Sequence, residues 1–171
     1  MNEDDRTQAA AGTPRNSVKS IVAQWAEARP DLDCRPMAVV GQIWRTGGFL
    51  TREVTRNLKD HDLDMPGFDV LLTLRRQGGL APLSPSELAA DMMMSPPAMT
   101  NRLDRLEQRR LIERIADPTD RRSIRIRLTA DGLALIDRVV ETHVATEEKA
   151  IAALSQDERD LLVALLARIG E

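Results

Sequence analysis

LSPSELAAD over residues 83–91, SPPAMTNRLDRLE over 95–107, and the stretch from Leu111 to Thr129 built around DPTDRRS at 117–123 decide the fold of this chain. They read as a short helix, a second helix and an arginine-loaded hairpin, in that order. Ser84 and Glu87 have the S-x-x-E spacing of a capping box, in which the serine oxygen accepts from the third helical N–H and the glutamate reaches back to the cap. Leu83 and Leu88 flank that cap as a hydrophobic staple. Pro85 falls at the first helical position, where its missing N–H costs nothing. Ser95-Pro96 repeats the cap-then-proline signal. Met92, Met93 and Met94 lie between the helices and read as core filler and turn. A helix pair that enters a DNA groove, followed by a basic ribbon that reaches the next groove, requires this arrangement.

The second helix is expected from Pro96 to about Arg109. Its apolar positions Met99, Leu103 and Leu106 form an i, i+4, i+7 stripe. The opposite face carries Pro97, Asn101, Asp104 and Gln108, with Ala98, Thr100 and Arg105 on the flanks. Asn reads adenine and Arg reads guanine through paired hydrogen bonds, and a helix N-terminus favours phosphate. Candidate DNA contacts are therefore Ser95, Pro97, Ala98, Thr100, Asn101 and Arg105. An ordinary solvated helix face has the same composition.

In the hairpin, Ile124, Ile126 and Leu128 alternate with Arg125 and Arg127, the period of a half-buried strand. Leu111, Ile112 and Ile115 precede the turn, and Asp117-Pro118-Thr119-Asp120 supplies the turn chemistry. Arg121 and Arg122 sit at or near the tip and complete the candidate DNA contacts. From Arg102 to Arg127 nine arginines face five acids (Asp104, Glu107, Glu113, Asp117 and Asp120), a local charge of +4 in a chain of net −3. The acidic total is therefore no argument against binding a polyanion, because the positive charge is concentrated.

The other segments read as helices. Val18, Ile21, Val22 and Trp25 form a stripe that ends before Pro30. Pro36 opens a long helix with Met37, Val40, Trp44, Val54 and Leu58 expected to face inward, although Gly47-Gly48 lies in its middle. Residues 66–77 are apolar nearly all round, as a buried helix should be, and Gly78-Gly79 end them. Thr129 is the expected cap of a helix bearing Leu133, Ile136, Val140, Val144 and Ile151. Ser155 and Glu158 repeat the capping box ahead of Leu161, Leu162, Leu165, Leu166 and Ile169.

The fold class is thus mainly α with a small β wing. Residues 1–16 are polar and expected to be disordered. Residues 17–171 form one domain, with dimerisation helices at about 17–60 and 130–171 around a winged-helix lobe at about 64–129. No apolar run approaches a membrane span and no secretory signal is visible. One cysteine among 171 residues leaves no internal disulfide and fits a reducing cytoplasm. His61 and His143 stand alone, without metal-ligand spacing, and His143 falls on the apolar side of its helix as a packing residue. There is no phosphate-cradling glycine loop and no paired nucleophile and base. The expectation is no enzyme, no metal and no cofactor.

Residues 36–171 resemble the MarR family of bacterial winged helix-turn-helix transcription regulators. The matching stretches are SPSELAADM at 84–92, NRLDRLE at 101–107, DPTDRRS at 117–123 and LTADG at 128–132. The resemblance implies a homodimer that represses promoters by binding a pseudo-palindromic operator in double-stranded DNA. It places the recognition helix at 95–109 and implies that Arg122 enters a minor groove. Arg110 stands where a glycine usually ends the recognition helix, and Met93 where the turn between the helices often has one. Both positions then demand backbone that favours glycine.

A charge constellation stands out. Asp69 is the only acid within 66–74, and Arg102 projects near the inward stripe of the second helix. A buried charge is costly unless paired, so Asp69 is expected to meet Arg102, or a wing-base arginine such as Arg114, behind the recognition helix. An ion pair that merely locks the helix serves this inference as well as a ligand site does. Within the family, the urate-responsive branch resembles this chain more closely. Its extra N-terminal helix ends in a sequence similar to Trp25-Ala-Glu-Ala-Arg29-Pro30-Asp31-Leu32-Asp33. That resemblance implies a ligand pocket of Trp25, Asp69, Arg102 and Arg114 for a small anionic aromatic compound, a urate-like purine or a phenolic acid. Such a ligand stacks on indole and pairs with guanidinium. Two other functions compete: a redox sensor of the same family using Cys34, and a winged-helix protein-interaction module that does not bind DNA. A sensing thiol needs access and a lowered pKa, and the one-cysteine sensors of the family resemble a pattern with tyrosines at the thiol, of which this chain has none.

Overall fold

The structure is a computed structural model that describes residues 17–78, 82–92, 95–118, 120 and 122–170. The chain forms two compact units, Met1–Phe49 and Leu50–Glu171. Among the described residues are seven helices and one two-stranded antiparallel sheet. No described helix is long and apolar enough to cross a membrane.

The first unit holds α1 (Val18–Ala28) and the start of α2 (Arg35–Lys59). Ser17 caps α1 by accepting from the Ser20 N–H at 3.1 Å. Gly41 lies against Val18, whose methyl would be 3.5 Å from an added Cβ. Between the helices Arg29 forks onto Asp31 and Arg35 onto Asp33. These pairs are exposed and add little stability. Helix α2 runs unbroken through Gly47-Gly48. The expected inward row divides: Val54 and Leu58 are buried, whereas Met37, Val40 and Trp44 are exposed, Trp44 to 76%. Met37, Val40 and Trp44 thus do not face inward as expected, because periodicity groups residues on one face without specifying what covers it.

The second unit contains the core. α3 (Met65–Arg76) packs against α6 (Ala130–Ile151), α4 (Pro85–Asp91), α5 (Pro96–Gln108) and the wing strand β2 (Ile124–Leu128). Phe68, Val70, Leu71 and Leu74 of α3 are at most 2% exposed and meet Leu88, Met99, Leu103, Ile126, Ile136 and Val139. Asp64 caps α3 by accepting from the Gly67 N–H at 2.8 Å. The Ser84–Glu87 capping box forms on α4 and the Ser155–Glu158 box on α7 (Gln156–Leu166). Ser95 occupies the α5 cap position but makes no side-chain cap bond. Helix α7 buries none of its side chains, and an Arg159–Glu148 fork at 2.7–2.8 Å ties it to α6.

β1 (Ile112–Ala116) pairs with β2 in a register that sets Ile112 opposite Leu128, Arg114 opposite Ile126 and Ala116 opposite Ile124. Facing partners share a side of the sheet, so this side is apolar at its base. Ile126 and Leu128 are buried as the alternation requires, but Ile124 is 45% exposed. It lies in the last pair before the turn, opposite exposed Ala116. Leu83 adds a one-residue bridge to Ile126, with N···O distances of 2.9 and 2.7 Å.

The junction of α5, β1 and α6 is the tightest point. Arg110 takes φ = 58°, the left-handed conformation foreseen where glycine is usual. Thr129 Oγ1 donates to the Arg110 carbonyl at 2.6 Å and accepts from the Gly132 N–H at 3.0 Å. A Cβ added at Gly132 would lie 1.8 Å from the Leu111 carbonyl oxygen. Two substitutions here should act in opposite directions on thermal melting. Gly132→Ala is expected to destabilise by about 2–3 kcal/mol, because overpacking forces α6 off the end of α5. Arg110→Gly is expected to raise the melting temperature by relieving a strain of about 1 kcal/mol. An unchanged melting temperature for Gly132→Ala would refute the close approach.

Candidate nucleic-acid interface and its charge clamps

Helix α5 is a two-faced element. Met99, Leu103 and Leu106 are at most 3% exposed and anchor it in the core. Ser95, Pro97, Thr100, Asn101 and Arg105 are exposed and Ala98 is half-buried. Six of the eight sequence-predicted DNA contacts thus lie together on and beside the outer face of one rigid helix. The seventh, Arg122, is exposed near the wing tip. Its turn is held by Asp120, which accepts from the Arg122 N–H at 3.0 Å and from the Ser123 hydroxyl at 2.7 Å. Arg121 lies outside the described residues, as does Met93.

Two sets of ion pairs flank α5. On one flank Arg102 Nη1 lies 3.4 Å from both carboxylate oxygens of Asp64, and Arg105 lies 3.8 Å from Asp64. Arg109 donates to the Asp62 carbonyl at 2.5 Å, one helical turn further on. On the other flank Arg114 of β1 donates to Asp104 at 2.6 Å and to Glu107. The helix that presents Asn101 is therefore braced from both sides by guanidinium groups reaching carboxylates.

This changes the expected role of Asp69. Arg102 takes Asp64 as its direct partner, not Asp69, and Arg114 pairs on the opposite flank. The reason is solvation: the Asp64 side chain is 57% exposed at the open end of α3, so pairing there strips less water than pairing with half-buried Asp69. Burial holds the Asp69 carboxyl above the usual carboxylate range, partly offset by Arg102 and by His143. His143 packs on Phe68 with ring centroids 4.8 Å apart, in line with its expected packing role. Its Nε2 lies 3.2 Å from Glu147, and its buried Nδ1 has no hydrogen-bond partner.

A cavity of about 270 Å³ opens beside α5, lined by Asp62, Leu63, Asp64, Gly67, Arg102, Arg105, Leu106 and Arg109. It includes Arg102 of the predicted ligand set but neither Asp69 nor Arg114. Trp25, in the other unit, is 42% exposed and borders a recess lined by Ile21, Gln24 and Ala28. Cys34 is 6% exposed, which denies a sensing thiol the access it needs. Among the described residues no three His, Cys, Asp or Glu side chains are grouped to hold a metal ion.

Sequence reasoning missed Asp64 and Arg125. Asp64 precedes Met65-Pro66, a legible helix-cap signal, but its role toward α5 spans 38 residues of chain. Arg125 appeared as one more outward arginine, whereas it donates to Asp117 at 2.5 Å and to the Pro82 carbonyl at 3.2 Å. Arg127 likewise pairs with Glu113 at 2.8 Å. Much of the arginine charge in this region is thus matched within the protein.

Comparison with known proteins agrees with this architecture. The profile of the MarR family matches residues 63–124. The HTH-type transcriptional regulator PecS of Dickeya dadantii is 41% identical over 152 residues, covering 89% of this chain and 92% of PecS. MhqR of Bacillus subtilis, also an HTH-type transcriptional regulator, is 29% identical over 68% of this chain and 79% of its own. Among solved structures, AbsC, a MarR family transcriptional regulator from Streptomyces coelicolor, superposes with a TM-score of 0.72 at 24% identity, covering 79% of this chain and 91% of AbsC. A mutant of MarR from E. coli complexed with operator DNA gives 0.69 at 24% identity, covering 86% of this chain and 98% of MarR. Winged-helix architecture, the motifs on α4, α5 and the wing, and identity to PecS over most of both chains lead to one conclusion: this protein belongs to the MarR family of helix-turn-helix transcriptional regulators.

Proposed function

We propose that the protein is a sequence-specific DNA-binding regulator that acts as a homodimer and leaves its operator when a small anionic aromatic ligand binds. The observation that carries the first part is α5 itself. Its inner stripe is fixed in the core while Ser95, Pro97, Thr100 and Asn101 face solvent, and an arginine-tipped ribbon follows. A helix so anchored docks in a major groove, and Arg122 reaches the flanking minor groove. Sequence-specific repression of a pseudo-palindromic operator is the regulatory form this takes, in the cytoplasm.

Dimerisation is supported by rows of apolar side chains exposed among the described residues. Leu161, Leu162, Leu165 and Leu166 of α7 are 43–58% exposed, and Met37, Val40 and Trp44 of α2 are exposed as well. Scattered apolar residues on a surface are normal, but rows along one helix mark an interface.

Ligand response is supported by Arg102. This guanidinium belongs to the DNA-reading helix, borders a cavity and is held by Asp64 only at 3.4 Å. An anion that competes for Arg102 shifts α5, and DNA affinity falls. By linkage, DNA then weakens the ligand by the same factor. Trp25, Asp69 and Arg114 complete the proposed ligand set. Asp69 senses the charge near Arg102, and Arg114 bears on the same helix through its ion pairs to Asp104 and Glu107. Urate is the compound to test first, then related purines and phenolic acids.

Three measurements test these readings. In a salt series on a duplex selected by the protein, the logarithm of affinity is expected to fall steeply with log salt, and Arg122→Ala to reduce that slope by about 1; binding indifferent to salt would remove the DNA assignment. Titrating urate, other purines and phenolic acids into the DNA complex is expected to release DNA and change tryptophan fluorescence, with Trp25→Phe and Arg102→Ala losing the response. No release at millimolar ligand excludes those compounds, and a fully responsive Arg102→Ala protein refutes the site. Asp69 supplies the third. Its folded pKa lies above its unfolded value, so ionising it costs stability above that pKa and nothing at acidic pH. Asp69→Asn is expected to melt higher than wild type at neutral pH, with the difference closing below about pH 4. A difference that persists in acid contradicts the desolvation account.

A further inference from the structure

We propose that Arg125 is a positioning residue for DNA binding: it latches the wing to the entrance of α4 and thereby sets where Arg122 is presented. The inference rests on the DNA-binding reading above. Arg125 reaches three groups from three parts of the lobe. Its Nε donates to Asp117 Oδ2 at 2.5 Å, at the start of the wing turn. Its Nη1 donates to the Pro82 carbonyl at 3.2 Å and lies 3.7 Å from Glu87 Oε2. Glu87 is also the carboxylate of the α4 capping box, accepting from the Ser84 N–H at 2.7 Å. One guanidinium thus joins the wing turn to the hydrogen-bonded start of the helix that precedes α5.

Position along the ribbon makes the latch matter. Ile126 is fully buried and bridged to Leu83, whereas Ile124 is 45% exposed. Arg125 therefore stands at the boundary between the anchored base and the outer end that carries Arg122. A two-stranded ribbon beyond its last anchor has little stability of its own, so its direction depends on that anchor. Asp117 is only 7% exposed, and a buried carboxylate without its cationic partner is strongly unfavourable. The pair is geometrically specific, because the planar fork of arginine serves a carboxylate and a carbonyl at once, which lysine does not. With its charge matched by Asp117 and Glu87, Arg125 acts through Arg122 and not by contacting phosphate itself.

The test is a double-mutant cycle on full-length protein, with a duplex selected by the wild type from a randomised pool as probe. Arg125→Ala is expected to weaken binding about tenfold, and by less than about twofold when Arg122 is already alanine, because residues acting through one contact are not additive. Hydroxyl-radical footprints should lose the outer minor-groove protection while the central major-groove protection stays. Arg125→Lys should resemble Arg125→Ala. If Arg125→Ala fails to fold, Glu87→Gln, which keeps the capping box, replaces it and should show a smaller loss with the same dependence on Arg122. Equal fold-losses in both Arg122 backgrounds, or no loss in either, overturn the latch while leaving DNA binding intact. A wild-type protein that selects no duplex overturns the DNA-binding reading and the latch with it.

Discussion

The chain reversal at Arg110–Leu111 is the constraint on which the second unit depends. Three elements meet there with no room to spare. Helix α5 ends in a left-handed residue, the wing begins at Ile112, and α6 starts against the Leu111 carbonyl through Gly132. Thr129 bonds to this junction from both its backbone N–H and its hydroxyl. The N-terminus of α6 is therefore referenced to the C-terminus of α5 by backbone contacts that adjust very little.

Charge is organised around that rigid point. Arg114 braces one flank of α5 through Asp104 and Glu107, and Arg102 and Arg105 brace the other through Asp64. The two sides are not equivalent. Arg114 is held at hydrogen-bond distance by two carboxylates, whereas Arg102 meets its partner at 3.4 Å beside a cavity. Arg109 adds a hydrogen bond to the Asp62 carbonyl at 2.5 Å on that second flank, so both sides of α5 are held, and the cavity lies beside the longer ion pair.

Where local chemistry decides, the sequence was legible. The Ser84–Glu87 and Ser155–Glu158 boxes, the Thr129 cap and the Met99–Leu103–Leu106 stripe all depend on residues within a turn or two of one another, whereas the strain at Arg110 was implied only by the family resemblance. Where the outcome depends on what arrives from elsewhere, the pattern alone did not determine it. Alternation placed Ile124 on the apolar side of the ribbon but carried no information about its burial at that end. Helical periodicity grouped Met37, Val40 and Trp44 without specifying what covers them. The rule that buried charges pair assigns Asp69 to Arg102 or Arg114, because Asp69 interrupts an apolar run. Arg102 instead meets Asp64, the cap of α3, and Arg114 meets Asp104 and Glu107, partners set by tertiary packing and not by local pattern. Arg125 and Arg127 had the signature of solvent-facing cations, and that signature does not distinguish a free cation from one matched across a strand.

Helix α7 has a thermodynamic consequence of its own. It spans 11 residues and buries none of them within the single chain. An isolated helix of that length is marginal in water, because the cost of nucleation is spread over too few hydrogen bonds. The capping box and the Arg159–Glu148 tether support its first turn, and its leucines stand exposed. With the proposed homodimer as the second surface, the order of this helix would follow mass action. It would fray where copies are sparse and become helical as they accumulate, so that the abundance of the regulator would enter its own folding equilibrium.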